Sequence, residues 1–146
     1  MPKKSRRDPP LDRVDFPYMK DGHGRYAPLV YFQAWTGHHW LYLQAYVDSG
    51  ASWSVMHLDV AQLLGIPLSR TSKRFIELGD GNVLPVYLAK IRVRFAGQEF
   101  LVPAGFSEAL RTGFNMMGRA GFFDRFLMTF NDRSRVLTAA RFSARR

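Results

Sequence analysis

From residue 28 onward, apolar and aromatic residues come in short runs separated by polar, glycine-containing breaks. Leu29-Val30-Tyr31-Phe32-Gln33-Ala34-Trp35 and Trp40-Leu41-Tyr42-Leu43-Gln44-Ala45-Tyr46-Val47 flank Thr36-Gly37-His38-His39 and predict a β-hairpin. Val55-Met56 returns to extended structure. Leu58–Leu64 has helical composition, with Gly65 and Pro67 as its stop. Phe75–Leu78 and Val83–Tyr87 surround Gly79-Asp80-Gly81-Asn82, a second hairpin signal. Lys90-Ile91-Arg92-Val93-Arg94-Phe95 alternates basic and apolar residues, so one face of that strand is expected to be wet. Ala96-Gly97-Gln98-Glu99 turns it into Phe100–Pro103. After Asn115–Arg119 a short helix is expected around Ala120–Phe126, then a last hairpin, Leu127–Phe130 against Arg135–Thr138. Many short strands with one or two short helices, and no internal repeat, predict an all-β, closed domain.

Residues 1 to about 25 are rich in proline, glycine and charge and read as an irregular basic arm. The expected organisation is therefore an arm over 1–25, one domain over 26–140 and a basic tail over 141–146. The net charge of +9 lies in the ends: residues 1–13 carry +3 and residues 133–146 carry +5, leaving +1 for the stretch between. Basic tails hold phosphate without selectivity, so no specific nucleic acid is expected as a partner. The absence of cysteine excludes disulfides, thiol catalysis and cysteine-bound metal. Met1–Arg7 runs into Pro9-Pro10 with no apolar segment behind it, and Leu29–Val47 is too polar to span a membrane. A cytoplasmic location is expected on those grounds.

The candidate chemistry centres on Asp48-Ser49-Gly50-Ala51, directly after an apolar strand. A carboxylate there sits at a strand end on a sharp turn. Gly50 lets that turn approach another backbone, and Ser49 supplies a small hydroxyl. By itself the tripeptide is also an ordinary Asx turn. Adjacent residues on a strand point to opposite faces, so His38-His39 makes a poor chelate and reads as a turn; no metal or cofactor is expected. His57 reads as the start of the helix. Tyr31, Phe32, Trp35, Trp40, Tyr42 and Tyr46 are expected to serve core and cross-strand packing rather than base stacking.

The context resembles the retropepsin-like aspartic peptidases, in their bacterial and cellular single-domain branch. Ala45-Tyr46-Val47-Asp48-Ser49-Gly50-Ala51-Ser52-Trp53-Ser54-Val55-Met56 is similar to that family's apolar strand, Asp-Thr/Ser-Gly-Ala/Ser turn and apolar continuation. Met116-Met117-Gly118-Arg119 resembles its second signature, two apolar residues followed by Gly, and Leu78-Gly79-Asp80-Gly81-Asn82 falls where the family has a flap. The resemblance covers roughly residues 29–138. It implies a closed acid-protease barrel, Asp48 as the catalytic residue, Ser49 bracing the turn and the 78–82 hairpin closing over an extended peptide. One Asp-Ser-Gly in 146 residues implies a homodimer with the site on its two-fold axis. Two Asp48 carboxylates a few Å apart would share one proton, one acting as base toward water and the other as acid toward the scissile carbonyl. An inert peptide-binding member of the fold, and a basic-tailed nucleic-acid-associated barrel, are the competing readings. Retroviral members carry an acid where Ser52 stands, so an ion pair from Arg119 to that position cannot form here. Trp53 could shape a subsite or fill the core. Interleaving the chain ends, as retroviral dimers do, would bring like charges together; dimerisation is expected to be weak at low salt or to use another surface.

Overall fold

The computed structural model describes residues 12–78 and 80–142. Six strands close into a barrel, and each predicted hairpin forms. Strands β1 (Arg13–Pro17), β2 (Met19–Lys20) and β3 (Tyr26–Ala27) precede the first long hairpin, β4 (Leu29–Trp35) and β5 (Trp40–Val47). Then come β6 (Ser54–His57), helix α1 (Leu58–Leu63), a single 3₁₀ turn (Leu68–Arg70), β7 (Ser72–Glu77), β8 (Val83–Phe95) and β9 (Gln98–Ser107). Strands β10 (Asn115–Met117), β11 (Phe126–Asn131) and β12 (Val136–Arg141) complete the chain. The large sheet runs β4-β5-β10-β6-β9-β8-β7, and pairing of Gln33 with Arg94 and Ala34 with Val93 joins β4 to β8 and shuts the ring. The domain is thus all-β with one short α-helix and a short 3₁₀ segment, as its hydrophobic pattern implied.

The 13 residues of β8 do two jobs. Their first half pairs with β7 in the projecting hairpin, and their second half pairs with β9 and β4 in the barrel wall. Inside the barrel, Phe122 is fully buried and meets Phe32, Phe95 and Phe100 edge-on at centroid distances of 6.0, 5.7 and 5.7 Å. A second, smaller core lies under the β7–β8 hairpin: Val55, Ile76, Leu84, Val86 and Leu110. Helix α1 buries Val60 and Ala61 and ends where Gly65 stops it, with the Ile66 N–H donating back to the Ala61 carbonyl.

Two expectations are corrected. The arm is not irregular past residue 12: β1 pairs antiparallel with β12, and Phe16 stacks on Phe95 with centroids 5.2 Å apart. Its alternation, Arg13-Val14-Asp15-Phe16, is a strand signal hidden among prolines and charges. The short helix expected around Ala120–Phe126 is not a helix either. Arg119–Phe123 is a wide turn in which Ala120 is extended (ψ 123°) and Gly121 left-handed (φ 85°). A Cβ on Gly121 would stand 2.7 Å from a Val102 methyl, so the turn needs glycine there twice over. Its effect is to swing Phe122 into the barrel. No helix among the described residues is long and apolar enough to cross a membrane.

Because Phe122 joins three other rings, Phe122→Ala is expected to cost about 3–5 kcal/mol in urea unfolding, and Phe122→Leu less. A loss below about 1 kcal/mol for the alanine variant would contradict this view of the core.

Candidate active site

Asp48 lies one residue past the end of β5, and its position is fixed by the strand that β5 acquires as a neighbour. The three residues of β10 run parallel to β5, pairing Asn115 with Ala45, Tyr46 with Met116 and Val47 with Met117. Through Met116 and Val55, β10 also pairs antiparallel with β6. The short strand therefore wedges between the segments that enter and leave the Asp48 turn. The Asp48 N–H donates to the Met117 carbonyl at 2.9 Å, the Arg119 N–H to the Ala51 carbonyl at 2.8 Å and the Ala120 N–H to the Ser52 carbonyl at 3.0 Å. The two stretches singled out in the sequence, 48–51 and 117–119, are thus bound to each other.

Gly118 makes this closeness possible. A Cβ there would lie 2.2 Å from the Trp53 carbonyl oxygen, inside backbone that cannot yield. Its N–H donates to the hydroxyl of Ser54, which is fully buried. Asn115, 8% exposed, accepts from the His57 N–H and donates to the Gln44 carbonyl, tying β5 to the start of α1. Within the turn, Gly50 donates its N–H to Asp48 Oδ1 at 2.8 Å, and a Cβ on Gly50 would press within 3.2 Å of that oxygen. Gly50 is thus small and close rather than left-handed. Ser49 and Gly50 are exposed, Asp48 half-buried and Ala51 buried. Arg119 Nη2 donates to Ser52 Oγ at 3.0 Å, a neutral-acceptor bond where an acidic residue would have made an ion pair.

A cavity of about 310 Å³ adjoins Asp48 and Ser49, lined also by Tyr18, Pro28, Tyr46, Phe130 and Asp132. Of these five, only Tyr46 stood out from sequence, and there as a packing residue and part of the strand before Asp48. Tyr18 lay in the stretch read as an arm, and Asp132 in an ordinary hairpin turn. The Tyr18 hydroxyl donates to Asp132 Oδ1 at 2.8 Å across 114 residues. Burial, reinforced by that bond and by the carboxylate's charge, pushes the Tyr18 hydroxyl up to about 12.

The 78–82 hairpin tip stands apart from this cavity: Leu78, Asp80, Gly81 and Asn82 do not line it, and Gly79 lies outside the described residues. The Asp80 carboxylate accepts from the Asn82 backbone and side-chain N–H groups, and these bonds hold it below the usual carboxylate range. The hairpin shares a core with the site all the same, since Leu78, Trp53 and Met116 all pack against Val55, Ile76 and Leu84. Trp53, half-buried, fills core space here. His38 and His39 sit in the β4–β5 turn, both N–H groups donating to Thr36 Oγ1. Among the described residues no cluster of three or more His, Asp or Glu could hold a metal ion.

No protein-family model matches the chain, and no curated protein matches it. Among solved structures, a retropepsin-like aspartic protease from Rickettsia conorii superimposes with a TM-score of 0.63 at 16% identity, covering 88% of this chain and 92% of that one. The chain therefore has the retropepsin-like fold.

Gly118→Ala is expected to lower stability by at least about 2–3 kcal/mol in thermal or urea unfolding, because the new methyl meets backbone; a neutral effect would contradict the contact with Trp53. For Tyr18 the folded-state value is raised from 10.0 to about 12. Its contribution is therefore complete below pH 10 and lost as pH climbs toward 12. Wild type is expected to lose more stability than Tyr18→Phe across that window; parallel losses would contradict the assignment.

Proposed function

We propose that the chain is an aspartic endopeptidase whose active site is assembled from the Asp48 turns of two copies. The observation that carries this reading is the lock between 48–51 and 117–119. It holds a half-buried carboxylate at a strand end, beside an open cavity, on backbone with little freedom to move. A catalytic group gains most from such rigid support.

The chemistry follows from pairing two such carboxylates. Two negative charges side by side repel, so one proton is shared between them. The ionised member takes a proton from a bound water, and the water oxygen attacks the scissile carbonyl carbon. The protonated member gives its proton to the carbonyl oxygen. The resulting tetrahedral diol collapses with cleavage of the C–N bond as the amine takes up a proton, and no acyl-enzyme forms. Ser49 braces the turns across the two-fold axis. The 78–82 hairpins, anchored through Leu78 to the small core, close over a peptide bound in extended form. Pairing of β1 with β12 within one chain supports a dimer that does not interleave these two strands.

The test is cleavage of a diverse peptide library across pH ~4–7, where shared-proton carboxylate pairs work. Wild type is expected to cut with a bell-shaped pH profile, and both Asp48→Asn and a statine-type inhibitor to reduce the rate by at least about 10³-fold. Cleavage that persists in Asp48→Asn would overturn the assignment. Absence of cleavage by a demonstrated dimer would favour a peptide-binding member of the fold.

A further inference from the structure

The β4–β5 hairpin carries aromatic residues that the core does not use. On the outward face of β4 stand Tyr31, Gln33 and Trp35, and on that of β5 Trp40 and Tyr42. Tyr42 is 69% and Tyr31 52% exposed, against 2% for Phe32 between them. The expectation that these aromatics serve packing holds for only part of the set. Trp35 and Trp40 satisfy one another at 5.2 Å, and the Arg94 guanidinium covers Trp40 at 4.0 Å. Among the described residues, the rings of Tyr31 and Tyr42 figure in no such pairing. Gln33 pairs with Tyr42, so Tyr31 and Tyr42 are diagonal neighbours across the two strands, about 7 Å apart.

Barrel closure brings charge to the same face. Gln33 pairs with Tyr42 on one side and Arg94 on the other, and Arg94 pairs with Glu99. One row across four strands thus reads Tyr42, Gln33, Arg94, Glu99. Around it lies a cavity of about 380 Å³, lined by Tyr31, Gln33, Tyr42, Arg94, Gln98 and Glu99 among others. Lys90, Arg92 and Arg94 are the exposed residues of an otherwise buried stretch of β8, making a basic stripe beside the rings. Glu99 offsets only part of it, at 3.7 Å from both Arg92 and Arg94.

We infer that this face binds single-stranded nucleic acid, without sequence preference. Flat bare rings accept unpaired bases by stacking, and the β8 stripe follows the phosphates. A base pair buried in a duplex offers no free ring to stack on Tyr31 or Tyr42, and a neutral ligand would leave unmatched the excess positive charge of Lys90, Arg92 and Arg94 over Glu99. The charge pattern therefore selects an unpaired polyanion. The stripe was visible in the sequence as an alternation, but its placement beside the aromatic hairpin depends on β4 pairing with β8, a contact about 60 residues long in sequence.

Fluorescence anisotropy with about 12-nucleotide RNA and DNA single strands, and the matching duplex, tests this on the full chain. Wild type is expected to bind the single strands more tightly than the duplex, with affinity falling as salt rises. The double variant Tyr31→Ala/Tyr42→Ala alters exposed positions and leaves the net charge unchanged, so phosphate binding by the basic chain ends is preserved. It is expected to weaken single-strand binding at least about tenfold. Arg92→Gln/Arg94→Gln is expected to flatten the salt dependence, and Asp48→Asn to bind like wild type. Equal affinity of the tyrosine variant and wild type, equal affinity for duplex and single strand, or no binding at about 10⁻⁴ M would each overturn the inference.

Discussion

Everything at the candidate site depends on one contact, the backbone of Gly118 against the backbone of Trp53 and Ser54. Only a residue without a side chain can stand there, since a Cβ would sit 2.2 Å from the Trp53 carbonyl oxygen. Because it does, β10 can enter between β5 and β6 and pair with both. That insertion completes the barrel wall, and it also holds the Asp48 turn from both sides. Fold and site are in this sense one construction: the bonds from Asp48 to Met117 and from Arg119 to Ala51 belong equally to each. The buried hydroxyl of Ser54 and the amide of Asn115 complete it by pairing with groups that the insertion would otherwise leave dry and unbonded.

The hairpins were legible in the sequence because their signals are local. Alternation in Leu29–Val47, the glycine-rich break at 79–82 and the Gly65 stop each act within a few residues, and each forms as expected apart from Gly79, which lies outside the described residues. The candidate-site stretches 48–51 and 117–119 were legible as two separate motifs. Their union was not, since nothing in Asn115-Met116-Met117 specifies a parallel neighbour 70 residues earlier. Long-range partners decided the remaining differences. The first strand forms because β12 and Phe95 are there to receive it. Phe122 leaves a helix-like stretch because Gly121 turns it toward Phe32 and Phe100. Tyr18 and Asp132, 114 residues apart, meet beside Asp48 only once both ends of the chain are folded onto the barrel.

The aromatic hairpin shows why residue type misleads where period does not. Tyr31, Tyr42 and Phe32 have similar apolar bulk, and bulk alone argues for burial. The two-residue period of the strand puts Phe32 inside and Tyr31 outside whatever their chemistry. A face built in this way keeps its rings in water unless something covers them, and the barrel leaves the candidate site on a different set of residues.

The central claim is that two copies of Asp48 form one site. Titrating a statine-type peptide into the chain, with binding followed by calorimetry and mass by sedimentation, tests it most directly. The account predicts one inhibitor bound per two chains, formation of a dimer on binding, and loss of both in Asp48→Asn. One inhibitor bound per single, monomeric chain, or binding indifferent to Asp48, would contradict it.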